Sequence, residues 1–164
     1  MKPNNPFLIA GYLNPAYFCD RTDETRILQE SLQNGRNITL IAPRRMGKTG
    51  LIKNVFYQLQ ESNKDAKCFY LDIYSTQNLS DFIHLFAAKT LGKLDKTPKK
   101  IIQRVTTFMK SCRPTFTYDT VSGVPKVSIE IAPTKEEATL SEIFEYLASA
   151  EKPCYIAMDE FQQL

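Results

Sequence analysis

Two spacings of apolar residues alternate along the chain. Leu51, Ile52, Val55, Phe56 and Leu59 recur at the three-and-four spacing of one helix face, as do Leu79, Phe82, Ile83 and Phe86 with Thr90. Between them, Asn37–Ile41 and Lys67–Ile73 are short, partly β-branched apolar runs of strand length. An earlier helix is predicted from Thr22 to a C-terminal cap at Asn34-Gly35. Further on, Ile101, Ile102, Val105 and Met109 give a helix over 99–112. Thr115–Tyr118 and Lys126–Ile131 alternate like two strands, with Asp119–Pro125, containing Gly123, as a hairpin loop. Thr139-Leu140-Ser141-Glu142 has the form of a capping box opening a helix to about Ala150. Pro153 separates that helix from Cys154–Met158, a buried-strand run. Alternation of strands and helices predicts an α/β fold, a parallel sheet covered by helices and joined by right-handed crossovers. Residues 1–21, rich in proline and asparagine at the start, are expected to be an N-terminal arm, and 22–164 one domain carrying an insertion at about 94–138. No internal repeat is present.

The turn between the first strand and its helix carries the chemistry. Ala42-Pro43-Arg44-Arg45-Met46-Gly47-Lys48-Thr49 has the spacing of the phosphate-binding loop, with alanine where the first glycine usually stands. Gly47 lets backbone approach a phosphate where a side chain would collide. Backbone N–H groups at the start of the next helix point at an anion, and the helix dipole favours negative charge there. Lys48 is placed to reach the β- and γ-phosphates, and the Thr49 hydroxyl to ligate Mg²⁺. Ala42 needs only extended geometry, which the following Pro43 imposes. The nucleotide-contacting set is therefore Ala42 through Thr49 together with Gly50.

Such a loop needs a carboxylate for the metal and, for hydrolysis, a base for water. Asp159-Glu160 follows the last strand directly. Neighbouring strand positions face opposite ways, so the two acids are not equivalent. Asp159, at the strand end, is assigned to Mg²⁺, and Glu160 to the attacking water.

These segments resemble a known group. An apolar strand ending in Asp-Glu is the Walker B form of P-loop NTPases that carry a catalytic glutamate. Pro43–Thr49 and Asp159-Glu160-Phe161-Gln162 resemble the archaeal-type ATPases, close to the AAA+ and STAND groups. Phe18-Cys19-Asp20-Arg21-Thr22-Asp23-Glu24 is similar to that family's F-x-x-R-x-x-E opening, which in relatives lies near the adenine. The resemblance spans roughly residues 6–75 and 139–164. It implies a three-layer αβα domain of the additional-strand, catalytic-glutamate class. ATP and Mg²⁺ would be its cofactors, with conformational change coupled to ATP binding and hydrolysis. It also implies further strands, a sensor residue and an arginine finger, whereas the sequence stops five residues after Asp159. A truncated sheet with an unpaired strand edge is thus expected to associate with itself or with a protein partner. A nucleotide-dependent switch with negligible turnover and a non-functional fragment are the alternatives.

Composition narrows the setting. A length of 164 residues predicts one domain, and 43% hydrophobic against 24% charged residues suits a soluble globular chain. No apolar run approaches the length of a membrane span, and the first residues lack a signal peptide's apolar stretch, so a cytoplasmic location is expected. Cys19, Cys68, Cys112 and Cys154 lie far apart, and His84 is the sole histidine, which argues against a Cys/His metal site. His84 reads as a helix-face residue. The net charge of +3 does not establish nucleic-acid binding. Lys93, Lys96, Lys99, Lys100 and Arg104 form a local basic cluster, read as a solvated face with nucleic-acid contact as the alternative.

Overall fold

A computed structural model describes residues 12, 14–43, 45–118 and 125–161. The architecture is mixed α/β, with a small parallel sheet and flanking helices, compatible with a P-loop-like fold. Two compact units divide the chain at Cys68 and Phe69.

In the first unit, the expected N-terminal arm falls mostly outside the described residues. A short 3₁₀ turn, Pro15–Tyr17, is capped by Asn14, whose side chain accepts from the Ala16 N–H at 2.9 Å. Helix α1 (Thr22–Gln33) follows. It ends where Asn34-Gly35 predicts. Gly35 takes φ +70°, its N–H donates to the Leu32 carbonyl, and the Arg36 N–H reaches back to that of Ser31. This pair of bonds satisfies carbonyls the helix leaves open, and positive φ suits glycine. Helix α2 (Lys48–Ser62) buries Leu51, Val55, Phe56 and Leu59, and α1 packs on it with Thr25 and Leu28 buried.

Residues 37–41, predicted as the first strand, form none: no pairing involves them among the described residues. Ile41 is 92% exposed, and Ile38 and Leu40 are more than a third exposed. An apolar β-branched run supplies propensity, but a strand exists only where a neighbour pairs with it.

The second unit holds the main core. Strand β1 (Lys67–Asp72), within which the unit boundary falls, lies parallel to β4 (Cys154–Asp159). The Ile73 N–H donates to the Asp159 carbonyl at 3.2 Å where the two strands end. Helix α3 (Leu79–Thr90) buries Phe82, Ile83, Phe86 and Thr90 of the predicted periodic set, while Leu79 at its start and His84 are exposed. Helix α4 (Pro98–Phe108) precedes an antiparallel hairpin of β2 (Cys112–Tyr118) and β3 (Pro125–Ile131), in register from Cys112 opposite Ile131 to Tyr118 opposite Pro125. The loop predicted over 119–125 lies outside the described residues except for Pro125. Helix α5 (Glu136–Ala148) packs against α3 and α4.

Residues 94–138, read from the sequence as an insertion, contribute to this core. Ile101, Val105, Met109, Val127 and Ile129 are all at most 5% exposed and cluster with Phe86, Ile143 and Tyr146. Arg104 is also drawn out of the basic cluster. It bonds Asp95 at 2.6 Å and reaches the Ser149 carbonyl at 3.2 Å, and the Asp95 hydrogen bond holds its guanidinium pKa above the usual range.

The capping box is a correction. Helix α5 starts four residues earlier than predicted, with Lys135 and not Thr139 at the cap position. Thr139 turns its hydroxyl to the Lys135 carbonyl of its own helix. Glu142 instead accepts from the Lys110 and Ser111 N–H groups and the Ser111 hydroxyl, at 2.8–3.0 Å. The S/T-x-x-E spacing has thus been used to fasten the α4–β2 turn to α5. Burial, reinforced by Glu142, pushes the neighbouring Cys112 thiol up to about 11, so it stays protonated and unreactive at neutral pH.

Gly92 marks the tightest junction. It has φ +77°, and its N–H donates to the buried Tyr146 hydroxyl at 3.0 Å. A Cβ there would lie 3.0 Å from Val127 Cγ2 and 3.3 Å from Ile101 Cγ2. Gly92→Ala is expected to cost about 2–4 kcal/mol, combining left-handed backbone strain with overpacking. Urea unfolding read by tyrosine fluorescence measures this, and an unchanged midpoint would contradict the crowding.

Candidate functional site: a phosphate loop and an acidic strand end

Helix α2 begins at Lys48, and Gly47 before it is in the left-handed region, φ +71° and ψ 22°. Arg45 is also left-handed at φ +64°. The Leu51 N–H closes the first helical bond to the Gly47 carbonyl at 3.0 Å. The first-turn N–H groups of a helix have no intrahelical partner, and Gly47 has no side chain with which to cap them. That is the local basis for anion binding: donors in one direction, with the positive end of the helix dipole behind them.

Lys48 is folded over the loop. Its ammonium donates to the Ala42 carbonyl at 2.8 Å and the Pro43 carbonyl at 3.1 Å. The side chain therefore spans the turn from its last part to its first. Ala42, Lys48, Thr49 and Gly50 are half-buried, while Pro43, Arg45, Met46 and Gly47 are exposed. Arg44, assigned to the loop from the sequence, lies outside the described residues.

The F-x-x-R segment frames this loop within the same unit. The Phe18 ring lies against Gly50, where an added Cβ would be 3.6 Å from Phe18 Cε2. Arg21 donates from its guanidinium to the Met46 carbonyl. Next to Phe18 is a cavity of about 330 Å³, lined by Pro15, Thr25, Gln29, Asn54 and Gln58 among others. Thr25 is 5% exposed, and its hydroxyl has no hydrogen-bond partner among the described residues. A buried hydroxyl without a partner carries a desolvation cost that a ligand's polar group would relieve.

The acidic pair belongs to the second unit. Asp159 closes β4 and is only 9% exposed. Its Oδ2 accepts from the Tyr70 hydroxyl at 2.5 Å, and its Oδ1 from the Glu160 N–H at 3.0 Å. Both oxygens are thus held in fixed directions. Glu160 lies beyond the strand with φ +60°, half-buried. The two acids differ in setting, though not by strand alternation, since Glu160 lies beyond β4: one is a buried, hydrogen-bonded carboxylate at the strand end, and the other sits on a left-handed turn residue. Tyr70 was not singled out from the sequence. Its role depends on which strand lies beside β4, and apolar alternation does not encode that.

Among the described residues, no group of three or more His, Cys, Asp and Glu side chains gathers as a metal cage. Taken separately, the Thr49 hydroxyl of the first unit and the Asp159 carboxylate of the second are each hard oxygen donors of the kind Mg²⁺ accepts. No helix among the described residues is long and apolar enough to cross a membrane.

A family model of the AAA-like domain matches residues 10–112, more than half of the chain. The chain belongs to the AAA-like domain family, which carries a nucleotide-binding, ATPase-like function. The match takes in the F-x-x-R segment and the whole phosphate loop and ends before Asp159. Neither the curated proteins nor the solved structures gave a match.

Proposed function

We propose that the chain is an ATPase domain of the archaeal type, close to the AAA+ and STAND groups, built on the three-layer P-loop NTPase plan. The observation that carries this reading is the loop itself: Gly47 left-handed at the head of α2, with Lys48 arched over Ala42 and Pro43. In this reading, ATP is the substrate. The first-turn N–H groups of α2 and Lys48 hold its phosphates, and the cavity beside Phe18 and Thr25 receives its base. Thr49 and Asp159 would hold Mg²⁺, which when bound neutralises phosphate charge and orients the γ-phosphoryl group. Tyr70 keeps the Asp159 carboxylate from rotating. Glu160 accepts a proton from, or orients, the water that attacks the γ-phosphate. Turnover drives a conformational change, in a cytoplasmic setting, with self-association, a protein partner or nucleic acid on the exposed lysines 93, 96, 99 and 100 as the receiving end.

A nucleotide-dependent switch with negligible turnover is the second reading. It is favoured by one observation: the family match covers the phosphate loop and stops short of the acidic pair. Single-turnover hydrolysis of Mg²⁺-ATP by the full-length protein separates the two. Release of phosphate from the bound nucleotide within minutes supports the ATPase. A stable ATP complex over hours supports the switch, and failure to bind ATP removes both.

A further inference from the structure

Arg21 breaks two local rules at once. It occupies the cap position of α1, where Ser, Thr, Asp or Asn would satisfy the helix's open N–H groups, yet its side chain makes no capping bond. It also has φ +59° and ψ 33°, a left-handed conformation that a long side chain without local hydrogen bonding rarely adopts. Asp20 before it is left-handed as well, at φ +59°. Asp tolerates that region, whereas Arg has no such excuse. Departures of this kind persist where the surrounding structure needs them, and they cluster at functional sites.

What the strain accomplishes is visible in the side chain. Two consecutive left-handed residues turn the chain so that the Arg21 guanidinium meets the Met46 carbonyl, 25 residues further on. Met46 directly precedes Gly47. A peptide unit is planar and trans, so its C=O and N–H point in opposite directions. Holding the Met46 oxygen therefore fixes the direction of the Gly47 N–H, which must face away from Arg21. The other end of the loop is held similarly, by Lys48 on the Ala42 and Pro43 carbonyls.

We infer that Arg21 is a positioning residue of the phosphate loop. Through the Met46–Gly47 peptide it presets the Gly47 N–H as an anion donor, without itself touching the ligand. This rests on the phosphate-loop reading of residues 42–49. Preorganised donors bind more tightly because orientation is not lost on binding. The effect belongs to the phosphate end of any ligand and not to its base.

The test compares the parent with Arg21→Ala, Arg21→Gln, Arg21→Lys and Lys48→Ala in the full chain, titrated with ADP and with inorganic pyrophosphate. Arg21→Ala and Arg21→Gln are expected to weaken both ligands by the same factor, about tenfold, the scale of one lost hydrogen bond from a charged group. Arg21→Lys, which keeps a donor and the charge, should fall between. In ligand-free protein, Arg21→Lys should also shift the Gly47 amide resonance while the later turns of α2 stay in place, a readout that survives if the alanine variant does not fold. Loss of ADP affinity alone would overturn the proposal by placing Arg21 at the base. It is also overturned if the Gly47 amide is unmoved, or if both affinities are unchanged while Lys48→Ala still loses them. If Lys48→Ala keeps parental affinity for both ligands, the phosphate-loop reading itself fails and takes this inference with it.

Discussion

Lys48→Ala is expected to raise the dissociation constant for Mg²⁺-ATP at least about 100-fold. Lys48 is the loop cation that already bridges to the opposite side of the turn, at 2.8 and 3.1 Å from two carbonyls. Hydrogen bonds from charged donors contribute about 1.5–3 kcal/mol each, and a lysine shared by the β- and γ-phosphates makes one to each, about 3 kcal/mol or more together. Alanine retains the helix, being the best helix former, so α2 should persist and the unfolding midpoint should move little. The measurement is titration with a fluorescent ATP analogue in Mg²⁺, paired with circular dichroism. Parental affinity in a folded variant would remove the phosphate-loop assignment and the proposed function with it.

Glu160→Gln has the second largest expected effect, and it falls on a different step. General-base assistance contributes on the order of 10²–10⁴ in rate, so single-turnover hydrolysis should slow by that range while ATP stays bound. The amide keeps the shape of the carboxylate and loses its basicity. Its backbone context should survive, because the Glu160 N–H bond to Asp159 Oδ1 does not involve the side chain. The left-handed turn at φ +60° also makes no greater demand on glutamine than on glutamate. Quench-flow with labelled ATP on the full-length protein reads both quantities. Hydrolysis at the parental rate would show that Glu160 does not orient the water, and would leave the switch reading in place.

Features that depend on neighbours in sequence were legible before any coordinates. The stop at Asn34-Gly35, the start of α2 at Lys48 and the buried face of α3 all follow from φ preference, motif and period. Features that depend on a partner distant in sequence were not. Residues 37–41 have strand composition, but pairing is a property of two segments and only one is visible in a run of five residues. Thr139 and Glu142 have the spacing of a helix cap, and the same carboxylate found better donors at Lys110 and Ser111, some 31 residues away. The segment 94–138 reads as an insertion because it matches the resembled family least distinctly, and Ile101 and Val105 within it are fully buried. Of the candidate site, the loop and the acidic pair were readable as motifs. The supports of each, Arg21 behind Met46 and Tyr70 beside Asp159, are single side chains whose reach is set by tertiary packing.

The lysine arched over Ala42 and Pro43 has one more implication. If the loop binds nucleotide as proposed, the Lys48 ammonium would exchange these two backbone oxygens for phosphate oxygens. The ammonium must release two carbonyls at near-ideal distance before it can serve an incoming anion. Those carbonyls are tethered a few residues away and compete at high effective concentration, and only a ligand with dense negative charge displaces them with a net gain. A monophosphate offers little advantage in that trade, whereas contiguous β- and γ-phosphates offer two oxygen sets to one cation. On the proposed reading, this exchange would favour a nucleoside di- or triphosphate over a monophosphate, ahead of any contact with the base.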